Sequence, residues 1–162
     1  MKTSIIFHSY SGITRGIAQK VQAACGGDLI EVSPRTKYSK LTAYTLGCMR
    51  ARNEVCDPVD PDAIDVSSSD LIVIGTPVWA WKATPVVNGA VASLTGCSGK
   101  KAVIFATCGG QAGDTLPLLR AKLEAKGVTV TGEFVFAKNE VDDPEKVNRL
   151  TAAVSAAMQQ AP

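Results

Sequence analysis

Apolar residues come in two kinds of run along this chain. Unbroken stretches such as Ile5-Ile6-Phe7 and Leu71-Ile72-Val73-Ile74 read as strands buried on both faces. Elsewhere apolar positions recur every three or four residues, as amphipathic helices require. Residues 3–7 predict a first strand and residues 14–25 a first helix, with Ile13, Ile17, Val21 and Ala24 on one stripe and Gly26-Gly27 as its stop. Residues 28–33 alternate and predict a second strand. A short helix is expected over 41–49, after which Pro58 and Pro61 break the chain. Residues 70–74 predict the third strand. Thr84-Pro85 reads as an N-cap followed by Pro in the first turn of a helix carrying Val87, Val91 and Leu94. A strand over 102–106 and a helix over 114–126 follow, the helix carrying Leu116, Leu119 and Leu123 and ending at Gly127. A strand over 128–137 comes next, and Asp143-Pro144-Glu145 opens a final helix with Val147, Leu150, Val154 and Met158.

Strands alternating with helices predict an α/β fold with a parallel sheet covered on both faces, as a single domain over residues 1–162. Ligands of such sheets bind beyond the carboxyl ends of the strands. That directs attention to the loops 9–14, 76–84 and 107–114. The first, Ser9-Tyr10-Ser11-Gly12-Ile13-Thr14, offers hydroxyls, a glycine and a helix N-terminus, which together suit an anion. It contains no Lys, so the G-x-x-x-x-G-K-[ST] phosphate loop is absent, as is G-x-G-x-x-G. A phosphate held by neutral donors fits a bound cofactor's monoester better than a triphosphate undergoing hydrolysis. Taken alone, the loop also reads as a plain turn with Ser11 as helix cap. The second loop holds both tryptophans, Trp79 and Trp81, as a platform for a flat ligand. The third, Thr107-Cys108-Gly109-Gly110-Gln111-Ala112-Gly113, leaves backbone groups uncovered for the rim of a heterocycle.

In these loops the chain resembles the flavodoxin superfamily over essentially its whole length. Ser9-x-Ser11-Gly12-x-Thr14 fits that family's phosphate loop, Gly75-Thr76-Pro77-Val78-Trp79 its loop after the third strand, and Ala106-Thr107-Cys108-Gly109-Gly110 its loop after the fourth. The resemblance implies a three-layer fold with strand order 2-1-3-4-5 and a noncovalently held FMN. By that carry-over Ser9, Tyr10, Ser11, Gly12, Ile13 and Thr14 hold the phosphate, and Thr76 faces the ribityl chain. Pro77, Val78, Trp79, Ala80 and Trp81 line the flavin. Thr107, Cys108, Gly109, Gly110, Gln111 and Gly113 meet its pyrimidine end. Either tryptophan could be the stacking ring. The uninterrupted last strand resembles the short-chain branch. No residue need act as acid or base, because FMN supplies the redox chemistry. The implied function is a low-potential electron carrier; the alternative is an FMN-dependent NAD(P)H:quinone or related oxidoreductase.

Charge alters the expected partner. Flavodoxin carriers are usually strongly acidic, whereas this chain carries a formal +2. No acid lies in loop 76–84, which contains Lys82, and from Ser33 to Asn53 there are Arg35, Lys37, Lys40, Arg50 and Arg52 with no acid. That stretch reads as a solvated face, or as a docking patch for an acidic redox protein or an anionic substrate such as NADPH. The small net charge argues against nucleic acid. Five cysteines without a Cys-x-x-Cys pair suit reduced thiols in a cytoplasm rather than a disulfide framework or a metal site. No run reaches membrane-spanning length. A low-molecular-weight tyrosine phosphatase is excluded by the absence of Cys from the first loop, and a response-regulator receiver by His8-Ser9 and Gly75-Thr76 standing where its carboxylates belong.

Overall fold

The computed structural model describes residues 1–161. Its central sheet contains β1 (Thr3–Phe7), β2 (Asp28–Glu31), β3 (Leu71–Trp79), β4 (Lys101–Cys108) and β5 (Thr129–Ala137), all parallel, in the order β2-β1-β3-β4-β5. The helices are α1 (Ile13–Cys25), α2 (residues 40–52), α3 (Pro85–Ala92), α4 (Thr115–Glu124) and α5 (Pro144–Gln159). This is the expected α/β flavodoxin-like architecture.

Alternation within the strands divides the core in two. Ile5, Phe7, Leu71, Val73, Val103 and Phe105 pack with Ile17 and Val21 of α1 and Leu150 and Val154 of α5. Ile6, Ile72, Ile74, Ala102 and Ile104 pack on the other face with Val87 and Val91 of α3 and Leu119 and Leu123 of α4. Because both faces are covered, the central strands have no polar side and their period-2 signal vanishes into solid apolar runs. The N-caps at Thr84 and Asp143 accept backbone hydrogen bonds from Val87 and Glu145, and each helix has Pro at its start.

Several boundaries depart from expectation. The second strand ends at Glu31, and Ser33–Pro34 turns away to pair antiparallel with Val59–Asp60. Leu94 does not continue α3: with Thr95 it forms a short strand beside Ile64–Asp65. The third strand runs on to Trp79, so most of the expected loop 76–84 is a hairpin, with Val78 opposite Ala83 and Trp79 opposite Lys82. The last strand is continuous but shifts register between Val130 and Gly132. Residues 40–52 form three joined segments: Lys40–Thr42, a wider π-type turn at Ala43–Gly47, and Cys48–Arg52. Among the described residues no helix is long and apolar enough to cross a membrane.

Gly89 in α3 lets the segment before the short 59–60 strand lie against the helix. A Cβ there would fall 2.1 Å from the Asp57 carbonyl oxygen and 2.9 Å from a Val59 methyl. Backbone at that distance cannot yield without moving the strand. Gly89→Ala should therefore destabilise the fold by about 1–3 kcal/mol, read as a lower urea midpoint with an unchanged m-value. An unaltered midpoint would show that α3 and the 57–59 segment are not in contact.

Candidate functional site

The carboxyl ends of β1, β3 and β4 open into a cleft of about 620 Å³, within the size range of small-molecule sites. The first loop reaches it with Tyr10, Ser11, Ile13 and Thr14, the β3 hairpin with Pro77, Val78, Trp79 and Ala80, and the end of β4 with Thr107, Cys108 and Gly109. Those residues were all expected at a common site, and the fold brings them together. The other expected residues stand outside the lining. Ser9 turns its hydroxyl back into the loop, accepting from the backbone N–H of Gly12 at 3.1 Å and of Arg15 at 3.2 Å. Thr76 is fully buried: its hydroxyl donates to the Pro77 carbonyl at 2.8 Å and accepts from the Thr84 N–H, so it braces the hairpin. Gly110, Gln111 and Gly113 follow the lining residues in the loop after β4, and Trp81 is 64% exposed at the hairpin tip.

At the start of α1, Gly12 takes φ 92°, a conformation only glycine adopts easily, and as N-cap it offers no side chain; Ser9 takes the Gly12 and Arg15 N–H groups, leaving those of Ile13 and Thr14 without a side-chain partner among the described residues. Nor is there an acid in its first turn. The N–H groups of Ile13 and Thr14 therefore suit an anion beside Ser11. Thr14 is itself buried, and its hydroxyl shares a hydrogen bond of 2.8 Å with that of Thr107, tying the first and third loops together.

Trp79 is held edge-on by three rings: Tyr38 at 5.3 Å, Tyr10 at 5.6 Å and His8 at 5.9 Å between centroids. Gly47 of α2 packs on it so closely that a Cβ would come within 2.7 Å of the indole. The tip beyond Trp79 is tight. Ala80 and Trp81 both have positive φ, 50° and 63°, in a two-residue turn that normally selects Gly or Asn. Gly113 and the Asp114 N–H, which donates to the Trp81 carbonyl at 3.0 Å, back that turn.

The fourth wall was not anticipated. Lys40, Ala43, Tyr44 and Cys48 of α2 line the cleft, as does Lys138 after β5. The small residues Ala43, Gly47 and Ala51, spaced by four and all buried, were the available signal for a closely docked helix face. Asp57 anchors that helix. Its carboxylate accepts from Arg50 Nε at 2.8 Å and Nη2 at 2.5 Å, and from the Tyr38 hydroxyl. Burial, and then the bond to Asp57, push the Tyr38 phenol up to about 12, so it stays a neutral donor.

No carboxylate lines the cleft, while Lys40 and Lys138 do. Lys82 turns instead to Glu54, 3.5 Å away, which also pairs with Lys122 at 3.1 Å. Burial pushes the Cys108 thiol up, keeping it protonated and unreactive. Among the described residues no His, Cys, Asp and Glu cluster could hold a metal.

A family model described as Flavodoxin matches residues 2–124. No curated protein matches the sequence significantly. Among solved structures, the chain is similar to a protein of Bacteroides uniformis assigned as a flavoprotein (TM-score 0.78, 21% identity, covering 91% of this chain and 96% of that one). It is similar to a flavoprotein of Lactobacillus acidophilus crystallised with FMN (TM-score 0.70, 22% identity, 90% and 99%). It is also similar to the two-electron reduced flavodoxin of Megasphaera elsdenii (TM-score 0.62, 22% identity, 97% and 98%). At these identities the likeness is one of fold.

His8, at the end of β1, gives a test of the site's packing. Its Nδ1 lies 3.0 Å from the Thr84 hydroxyl, and burial pushes its pKa from 6.5 down to about 4, against the weaker pull of Glu31 and Asp57. The folded state thus binds this proton less readily than the unfolded chain. Stability should fall as pH drops from 6.5 towards 4, by at most about 3 kcal/mol, and His8→Gln should remove that part of the slope. Identical pH profiles of unfolding for the two proteins would show that His8 titrates freely.

Proposed function

We propose that this chain, which belongs to the flavodoxin family, binds FMN in the cleft at the strand ends and serves as an electron carrier. The observation that carries this reading is the conjunction of the free Ile13 and Thr14 N–H groups of the α1 N-terminus, beside Ser11, with the fixed indole of Trp79 in one cleft. The residues present fit the cofactor: an anion-seeking end, an aromatic wall and the β4 rim at Thr107, Cys108 and Gly109. FMN supplies the one- and two-electron chemistry. The chain's own work is to hold the phosphate with neutral donors, to orient the ring against Trp79, and to set its electrostatic surroundings. In this reading Ser9, Thr76 and Gly113 brace the walls through the contacts described above, while Gly12, Gly110, Gln111 and Trp81 flank or follow the lining residues in sequence. Five free cysteines fit a reducing, cytoplasmic setting.

A second reading is favoured by the two lysines on the lining. An anionic reductant such as NADPH would find Lys40 and Lys138 at the mouth, which is the requirement of a reductase. The deciding experiment is the visible spectrum of the purified protein, before and after anaerobic NADPH. A yellow protein that NADPH leaves coloured supports the carrier, and rapid bleaching supports the reductase. A colourless protein that FMN cannot reconstitute rejects both.

The phosphate assignment is tested at Ser11, whose hydroxyl has no structural bond to lose. A hydrogen bond to a charged group contributes about 1.5–3 kcal/mol, so Ser11→Ala should weaken FMN by roughly tenfold or more and leave riboflavin unaffected. Equal losses for both ligands would place the phosphate elsewhere. The electrostatic assignment is tested at the lysines. A nearby cation stabilises added negative charge, so Lys40→Glu or Lys138→Glu should lower the potential of the second electron. At about 1 kcal/mol for a solvated pair the shift is roughly 40 mV. Lys82→Glu should shift it less, because Lys82 already faces Glu54. A redox titration in which only Lys82 matters would reverse this assignment.

A further inference from the structure

Helix α2 is turned inside out relative to an ordinary surface helix. Its buried positions are the small residues Ala43, Gly47 and Ala51. Its large apolar side chains face solvent: Tyr44 at 82% exposure, Leu41 at 74%, Met49 at 54% and Leu46 at 45%. Tyr10, also exposed, lines the same cleft, and Trp81 is exposed at the tip of the hairpin that carries Trp79 into it. These six are all but one of the exposed large hydrophobics among the described residues, the other being Met1. Concentration of that kind marks an interaction surface.

The surrounding charge selects the occupant. Arg35 and Arg50 are committed to Asp62 and Asp57. Among the described residues Lys37, Lys40, Arg52 and Lys138 make no ion pair. An apolar centre is thus ringed by uncompensated cations beside the proposed flavin. A second copy of this chain would oppose like charges across such a face.

We infer that the outer face of α2, with Trp81 and Lys138, is the docking site for an acidic redox protein that exchanges single electrons with the flavin. This rests on the carrier reading above and names its partner class. Carboxylates of the partner meet Lys37, Lys40, Arg52 and Lys138, and its apolar contact covers Leu41, Tyr44 and Met49. A bound FMN would take one electron from the partner's reduced centre at each encounter. The cations steer approach, and the apolar face sets residence.

The test titrates the full nitrogen-15-labelled chain, loaded with FMN, at low ionic strength. The probes are an acidic plant-type ferredoxin carrying gallium in place of iron, and a basic c-type cytochrome. Ferredoxin should shift amides of residues 37–52, Trp81 and Lys138. The shifts should vanish at about 1 M salt, where the Debye length is roughly 3 Å. Lys37→Glu with Arg52→Glu should raise the Kd by about tenfold or more, with FMN affinity retained because neither residue lines the cleft. Leu41→Ser with Met49→Ser should raise it several-fold without changing the salt slope. No shifts with ferredoxin, equal shifts with the cytochrome, or shifts on another face would overturn the inference. So would preferential binding to phosphatidylglycerol vesicles through the same residues, which would make the surface a lipid contact. If FMN itself fails to bind, the carrier reading falls separately, and the same titration on the flavin-free chain still reports on the surface.

Discussion

One buried carboxylate governs the fourth wall of the cleft. Asp57 is 7% exposed, and both its oxygens are spent, one on the Arg50 guanidinium and one on the Tyr38 hydroxyl. A buried charge is tolerable only when so paired, and removing either partner would leave it stranded. Its position is fixed from behind, where its N–H donates to the Pro85 carbonyl at 3.0 Å and Gly89 leaves room for its backbone. From there the constraint passes forward. Tyr38 stands edge-on to Trp79, and Arg50 pulls α2 against the same indole. A polar anchor of this kind explains an otherwise odd helix. With Ala43, Gly47 and Ala51 on its inner face, α2 buries little apolar area and approaches closely instead. The wider π-type turn at Ala43–Gly47 places Gly47 on the ring, consistent with the frequent location of such turns at functional sites.

Strain gathers at the same place. Ala80 and Trp81 occupy positive-φ positions without being Gly or Asn, at a cost on the order of 1 kcal/mol or more each. The surroundings over-determine them. Thr76 braces the base of the hairpin, and Gly113 and Asp114 meet the tip. The return is positional: Trp79 leaves the sheet in strand geometry and keeps its register opposite Lys82. A loose loop would hold the ring only through side-chain packing.

Most of the frame was legible in the sequence because its signals are strong and local. Solid apolar runs betray strands covered on both faces, and Thr84-Pro85 and Asp143-Pro144 announce helix starts one residue before they occur. The hydroxyl loop, the indole and the β4 rim could be placed because parallel α/β sheets put their loops at one end. What could not be read is set by distant contacts. The Ser33–Pro34 and Ile64–Asp65 strands are each two residues long, and their pairing partners are remote in sequence. Nothing local shows that Leu94 leaves a helix to join one of them. Loop position alone puts Lys82 beside the ligand, but its hairpin register turns it towards Glu54. Lys40 was visible only as part of a basic stretch, because its arrival at the cleft depends on how α2 is anchored by Asp57 thirteen positions after Tyr44.

The electrostatic design follows from where the counter-ions are spent. Arg15 at the start of α1 is paired with Glu31, and Arg35 and Arg50 have their own carboxylates, so these cations mainly hold structure. The cleft keeps Lys40 and Lys138 with no acid on its lining, and the positive end of α1 adds to them. Each of these sources favours negative charge in the same volume. A phosphate is one such charge, and an electron added to the flavin is another. A field that would anchor the cofactor's phosphate would therefore also ease its reduction, and Lys37 and Arg52 continue the unpaired positive charge along the chain on either side of α2's cleft-lining residues. In an acidic flavodoxin the corresponding field opposes the added electron. With its sign reversed, as on this lining, the field would ease the added electron on a bound FMN and make onward transfer to acceptors of very low potential harder.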